Sequence, residues 1–494
     1  MNSITRRQLL VLGSLTASGL AASAALRPTM GLVATETIRA RRTKSGLVEA
    51  EIIAAPAPVR LAGMMVRALA YNGGVPGPTL RLLEGDHVRL TFTNRLTNRS
   101  LTPAGGDEMA MMMRPDVTNL HTHGLPMSPA VDNPFVHVMP GESRVQEFVV
   151  QAGNAGTHWY HPHAHGHVGI QQFLGLAGGI IVTGPLDAMP ELRAADDHLL
   201  VLRDISISNG KIEESMGDAD AYGKKGKLKL VNGQVKPRLE AKKSLLRLRL
   251  VNASNARVFR LMLEDHPMHL IVTDGGFLEK PVLLKELTLA PGERAEVLVQ
   301  LERHGDIRLL QLPYNDSQNN GRDNGRDNSD NLTTPETLLT IVAPTDLKRL
   351  ELPTGFASLE KLEPAKAVIT RKLEFAWMPP NGFKIGAQPF DPNRVDIRAK
   401  LRTLEVWEIS NNASGIHTFH LHTHPFQVLA RQAANSGRWE DAPYRAWKDT
   451  INLESHDKLR IAVPFKAFPG KTVYHCHTSE HEDHGMMGIL EVTA

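Results

Sequence analysis

The sequence predicts an all-β chain of three β-sandwich domains in series, and three observations carry that reading. At 494 residues the chain exceeds what a single hydrophobic core serves, which makes about three domains the natural division. Forty glycines and 31 prolines punctuate short alternating apolar runs, a pattern of strands and turns. No apolar repeat has the length or period of a long helix. Net charge is nearly balanced at +3, so nothing in the composition points to nucleic acid. The single cysteine, Cys476, excludes an internal disulfide.

Taken in order, residues 1–25 carry the twin arginine Arg6-Arg7, an apolar run and Ala22-Ser23-Ala24 as an A-x-A cleavage candidate. This reads as a Tat-type signal, which predicts a folded, cofactor-loaded protein exported through the Tat machinery to the periplasm or beyond. The run is too short and too rich in Ala, Gly and Ser for a membrane span, so no stable membrane insertion is expected. In an exported chain a lone thiol is an oxidation liability, which favours a metal-bound Cys476 over a small buried hydrophobe.

The first domain is expected over residues 46–184. Val66–Asn94 reads as turn, strand, turn, strand, and a polar loop with Met109, Met111, Met112 and Met113 leads into HTHGL (His121–Leu125) and THWYHPHAHGHVG (Thr157–Gly169). The second domain, 197–344, has no His-x-His pair. Its repeat GRDN-GRDN within 315–331 reads as an exposed loop. A connector is expected over 345–366, and the third domain over 367–494. That last block holds SNNASGIHTFHLHTHPFQVL and KTVYHCHTSEHEDHGMM.

Twenty-two histidines predict about one His-x-His pair by chance, a count worth testing rather than judging by eye, whereas the chain has seven, all within 121–167 and 417–484. A single pair reads best as a solvent-facing couple. Four clusters, two in each end domain, do not. Alternate strand residues face opposite ways, so His475 and His477 share a face and Cys476 takes the other. A thiolate with His481 and Met486 downstream, plus one further histidine, makes the Cys-His-His-Met set of a blue-copper site. In His417-x-x-His420-x-His422 the last two share a face while His417 points away. His417 can therefore join Cys476, and His420 and His422 can join His475 and His477. With His121, His123, His161 and His163 this makes eight imidazoles from two domains, enough for three copper ions at the interface of the first and third domains.

These motifs, with NGGVPGPTLRLLEGD, VNASNARVFRL and TDGG, closely resemble the multicopper oxidase family, which includes bacterial laccases and periplasmic cuprous oxidases. The resemblance covers essentially the whole mature chain. It implies three consecutive cupredoxin-like Greek-key domains, four copper ions and O2 as electron acceptor. It assigns His417, Cys476, His481 and axial Met486 to type 1 copper, and His121 and His422 to type 2. His123, His161, His163, His420, His475 and His477 fall to the type 3 pair. Asp132, eleven residues after His121, and Glu482, next to His481, fall where the family places acids that move protons.

The substrate class implied is phenols and aromatic amines, with Cu(I) as the alternative. The methionine-free 315–331 loop and the neutral Asn411–Ser414 stretch weigh against a dedicated cuprous oxidase. A non-catalytic structural or cell-division protein is the rival reading, and the full ligand set opposes it. His158, His165, His167, His424 and His484 are expected to hydrogen-bond behind ligands, and Met487 to pack. Met109–Met113 reads either as a flexible apolar patch or as soft donors for Cu(I).

Overall fold

Alternation of apolar and polar residues makes the strands, and the strands decide where the histidines go. The computed structural model describes residues 30–494 apart from 39, 45, 98–114, 214–222, 315–332, 379–381 and 435. The signal segment 1–25, the Met109–Met113 cluster and the 315–331 loop lie outside the described residues. In the strand Leu47–Leu61, Val48, Ala50, Ile52 and Ala54 are buried in alternation with more exposed neighbours. That is the period-2 signature of a strand with one face on a core.

Six sheets among the described residues pack as three sandwiches. The first joins a sheet centred on Leu47–Leu61, between Met64–Tyr71 and His87–Asn94, to a four-stranded sheet. The latter runs Gly77–Leu83, Gly178–Thr183, Gly156–His161 and His121–His123. Ile52, Leu90 and Phe92 from one sheet meet Leu80, Tyr160 and Ile180 from the other. The second sandwich closes on Leu248, Leu250, Val297, Phe259, Leu309 and Ile341. Two short strands from this segment, Ile207–Ser208 and Lys211–Ile212, turn back and extend the larger sheet of the first sandwich through Lys211 and Arg67.

The third sandwich sets a sheet containing Ile369–Met378, Leu404–Asn411 and Lys458–Pro464 against a five-stranded sheet. That sheet runs Ile397–Lys400, Met487–Thr493, Gly470–Cys476, His417–Leu421 and Thr450–Leu453. Phe375, Trp407, Ile461, Phe419 and Tyr474 fill the space between, each large side chain contributing about 1.5–3 kcal/mol through burial.

The all-β expectation holds. Helices such as Val168–Phe173 and Ser479–Asp483 are single turns or little more. Among the described residues no helix is long and apolar enough to cross a membrane.

Those two short helices join the domains. Asp483 accepts backbone N–H bonds from Val168 (3.1 Å) and Gly169 (2.8 Å). Asn255 of the middle domain donates to the Gly169 carbonyl (2.7 Å) and to Glu480 (2.6 Å). All three domains thus meet beside the stretch that follows Cys476. Register brings the histidine rows together there. His420 pairs with His475 and Phe419 with Cys476 across one ladder, and His121 pairs with His161 across another.

Candidate metal centres

The strand Gly470–Cys476, continued by His477, divides its side chains between two buried donor clusters. On one side Cys476 Sγ lies 3.5 Å from His417 Nδ1 and 3.7 Å from His481 Nδ1, with those two nitrogens 3.1 Å apart. The Cys476 N–H donates to the Met486 carbonyl and the Met486 N–H to the His481 carbonyl, each at 2.9 Å. That loop of bonds holds Cys476, His481 and Met486 together, and Met486 is fully buried in the same core cluster as the thiol. Burial pushes the Cys476 thiol up to about 11 and the His417 imidazole down to about 3. Two imidazoles beside a thiol, His417 held neutral by burial, suit a soft cation that displaces the thiol proton. With a thioether on hand the donor set fits copper.

On the other side eight buried imidazoles converge. His163 Nε2 and His422 Nε2 approach His475 Nε2 at 3.2 and 3.1 Å. His477 Nε2 faces His123 Nδ1 at 3.2 Å, with the His161 ring 5.6 Å from His123 and 5.3 Å from His477. His121 and His420 remain, stacked on His422 (4.0 Å) and His123 (3.9 Å) respectively. The Nε2 of His422 turns toward His475 and His163 while its ring stacks on His121, and His121, His420 and His422 also bring one donor atom each within 4.8 Å of one another. Strand parity puts His420 and His422 on one face without saying how deep along the strand each lies, so both stand beside His121.

Hydrogen bonds on the far nitrogen fix each tautomer. His121 Nδ1 meets Asp132 at 2.8 Å, His161 Nδ1 the Pro162 carbonyl at 2.8 Å and His420 Nδ1 the Asp449 carbonyl at 2.9 Å. His475 Nδ1 meets the Cys476 carbonyl at 3.0 Å. A proton held on Nδ1 leaves the Nε2 lone pair turned inward. His121 Nε2, His161 Nε2 and His420 Nε2 are indeed buried without a hydrogen-bond partner, a state that costs about 1–3 kcal/mol per group unless a cation takes the lone pair. His123 is reversed, with Nε2 on Asp449 (3.1 Å) and Thr450 (3.0 Å), so that Nδ1 turns inward. Burial, chiefly, lowers His163 to about 3 and His420 to about 4, and holds His123, His161, His422 and His477 well below the ordinary imidazole value. All of these are neutral and ready as ligands.

Both expected acids stand at this cluster. Asp132 also accepts from the Thr122 N–H (3.2 Å) and hydroxyl (3.1 Å). Burial works to raise its carboxyl, but His121 and the Thr122 bonds outweigh it and hold it below the usual range. Glu482, fully buried, lies 3.1 Å from His475 Nδ1 and 3.3 Å from His163 Nε2. Against the pull of burial, these imidazoles keep it ionised. A narrow cleft opens beside His121, Asp132, His420, His422 and His424.

Sequence reasoning missed Asp449 and Arg294. Asp449 takes two bonds from Arg294 of the middle domain, at 2.7 and 2.6 Å, as well as the one from His123. Arg294 is 1% exposed. Gly124, with φ +94°, ends the HTHG stretch against this guanidinium, where a Cβ would overlap it. Only the pairing of Thr450–Leu453 with His417–Leu421 brings Asp449 to the site, and no spacing along the chain announces it. Of the five histidines expected behind ligands, His158 bonds the Asn154 carbonyl (2.9 Å) next to Arg294 and His424 lines the cleft. His165 packs on Phe390, and His484 is exposed with Nδ1 on the Glu480 carbonyl. Met487 is buried.

Family models described as multicopper oxidase match residues 55–187, 208–325 and 363–494. The chain is 33% identical over 432 residues to multicopper oxidase mco of Staphylococcus haemolyticus, across 86% of this chain and 84% of that protein. It is 30% identical over 439 residues to the cell division protein FtsP of Escherichia coli, across 87% and 86%. Among solved structures, a multicopper oxidase from Campylobacter jejuni described as a metallo-oxidase superposes with a TM-score of 0.82 at 26% identity, covering 94% of this chain and 96% of that one. Three cupredoxin-type sandwiches, each matched by a family model, and relatives aligned along most of their length lead to one conclusion: the chain belongs to the multicopper oxidase family and is a copper-dependent oxidoreductase.

Proposed function

We propose that this chain is a laccase-like oxidase that takes single electrons from phenols or aromatic amines and uses four of them to reduce O2 to water. The observation that carries the reading is the strand ending in His475 and Cys476 and continued by His477, which serves both donor clusters at once. In this reading His417, Cys476, His481 and Met486 hold type 1 copper. His121 and His420 hold type 2 copper. One type 3 ion sits on His123, His161 and His477, and the other on His163, His422 and His475. Four coppers so held supply one-electron uptake at the first site and four-electron delivery to O2 at the other three.

The chain's own groups do the rest. The His475 Nδ1–H bond to the Cys476 carbonyl (3.0 Å) adds a second route to the covalent one between the centres. Asp132 orients His121 and stands at the cleft, where protons for water formation enter. Glu482 bridges His475 and His163 from the opposite side and is the second proton-handling acid. Arg6-Arg7 supports export by the Tat route to the periplasm.

A second reading, oxidation of Cu(I) or another metal ion, draws support from the Campylobacter jejuni relative described as a metallo-oxidase. A non-catalytic role of the kind the FtsP name carries is disfavoured by the complete donor set. Oxygen uptake by the copper-loaded protein, measured in parallel with a phenol, an aromatic amine and Cu(I), tests all three. Uptake driven by the aromatics is expected. Uptake with Cu(I) alone would replace the laccase-like reading by the second, and no uptake with any reductant would favour the third.

A further inference from the structure

Neither type 1 imidazole reaches solvent, since His417 is 1% and His481 0% exposed. A reductant cannot touch either ring, and its electron must cross a covering layer. That layer is the hairpin of Ile369–Met378 and Gly382–Ile385, whose register pairs Phe375 with Ile385 and Trp377 with Phe383. Directly paired residues, and residues two apart on one strand, share a face. Phe375, Trp377 and Phe383 therefore look the same way, toward the type 1 site. Phe375 lies parallel to His417, with centroids 5.2 Å and planes 10° apart. Phe383 stacks on His481 at 4.2 Å and 28°. Trp377 meets Phe383 edge to face at 4.7 Å.

Exposure rises along this series. Phe375 and Phe383 are buried, whereas Trp377 is 48% exposed. Scattered surface apolar residues are ordinary. An exposed indole two ring contacts from a metal ligand, over a site closed to direct contact, is a different case.

We propose that the exposed face of Trp377 is where a planar aromatic reductant docks, and that its electron enters through Phe383 and His481 rather than by contact with a copper ligand. The inference rests on the laccase-like reading and deepens it. A phenol stacked on Trp377 gives up one electron and its hydroxyl proton. The proton passes to water and the phenoxyl radical departs. Copper held by His417, Cys476, His481 and Met486 would be the one-electron oxidant, with O2 as the final electron acceptor. An indole face attracts planar aromatics by offset or edge-to-face stacking. It does little for a hydrated anion such as hexacyanoferrate(II), and little for Cu(I), which seeks sulfur donors.

The test compares the copper-loaded protein with Trp377→Ala and Trp377→Phe, using a methoxyphenol, a phenylenediamine and hexacyanoferrate(II). Trp377→Ala is expected to raise KM for the two aromatics by roughly threefold to tenfold, the range a lost ring stack predicts. Its kcat should change less, hexacyanoferrate(II) kinetics and the blue absorption should not change, and Trp377→Phe should recover most of the loss. An unchanged aromatic KM in Trp377→Ala would overturn the docking site alone. An equal loss with hexacyanoferrate(II) would make Trp377 a support of the copper site and overturn it as well. If the parent protein consumes O2 with hexacyanoferrate(II) or Cu(I) but with neither aromatic, the laccase-like reading fails and the docking site fails with it.

Discussion

Replacing Asp449 by Asn tests whether the middle domain, which supplies no ligand, nonetheless builds the three-copper cluster. Asp449 takes two bonds from Arg294, one from His123 Nε2 and one from its neighbour Thr450 (2.7 Å). Burial would raise its carboxyl, but Arg294, chiefly, holds it well below the ordinary range, so the pair is fully charged. Asn keeps one acceptor oxygen and turns an NH2 toward the remaining donors. Breaking a buried pair from one side costs about 3–5 kcal/mol. Here Asp274 remains 3.5 Å from Arg294, and the Gly292 and Asp274 carbonyls still accept from it, so the lower end, about 3 kcal/mol, is expected.

The His123 ring then loses the anion that fixes its tautomer. Loss of such a partner typically weakens metal binding by about 10–100-fold, or about 1.4–2.8 kcal/mol. Chelator titration, followed at the near-ultraviolet band of the type 3 pair and at the blue band of type 1, should show the first lost at lower chelator concentration while the second stays. Arg294→Met combined with Asp449→Asn removes both charges and should be more stable than either single variant. Undiminished retention of the near-ultraviolet band in Asp449→Asn would refute the reasoning, and so would parallel loss of both bands.

Cys476→Ser should abolish the blue colour and oxidase activity while the other three coppers stay bound, as metal analysis with visible spectroscopy will show. Asp132→Asn, fully loaded and with type 1 reduction not limiting, should consume O2 about 10²–10⁴-fold more slowly, and an unchanged rate would remove Asp132 from proton handling. Changing Arg6 and Arg7 together to Lys should keep the protein in the cytoplasm, which cell fractionation measures. Glu296 is buried, which would raise it, but Arg247 and Arg249 hold it below its usual range. A depressed folded value stabilises above the unfolded value of about 4.3, and that stabilisation is lost as pH falls through the folded value. Denaturant midpoints should therefore fall less steeply with pH below about 4.5 in Glu296→Gln than in the parent, and equal slopes would count against the pair's contribution.

Much of the site was legible because a strand has period 2. The alternation His475, Cys476, His477 needs no tertiary information to imply two separate clusters, and the three-residue step from His417 to His420 implies the same division on the facing strand. Parity stops at the face. Which of His420 and His422 reaches which partner depends on how far along the ladder each lies, and therefore on the register His420–His475, which no spacing in the chain states. The hairpin over the type 1 site was illegible for a related reason. Phe375, Trp377 and Phe383 are ordinary strand residues until the pairing of Trp377 with Phe383 sets them in line.

The middle domain was the hardest part to read, because its contribution is a charge and not a ligand. A domain without a His-x-His pair reads as a spacer. Yet Arg294 lies on the strand Arg294–Gln300 of its six-stranded sheet, paired with Val251, and reaches out of that sheet to Asp449 of the third domain, which in turn bonds His123 of the first. A buried guanidinium is tolerated only where an anion meets it, and that requirement makes the contact specific: if the middle domain shifted, Arg294 and Asp449 would each be left charged in the interior. The same pair that orients an imidazole thus fixes the relative placement of all three sandwiches. The cluster, whose His123 and His420 stand 297 positions apart in the chain, depends on that placement to bring its two halves within bonding distance.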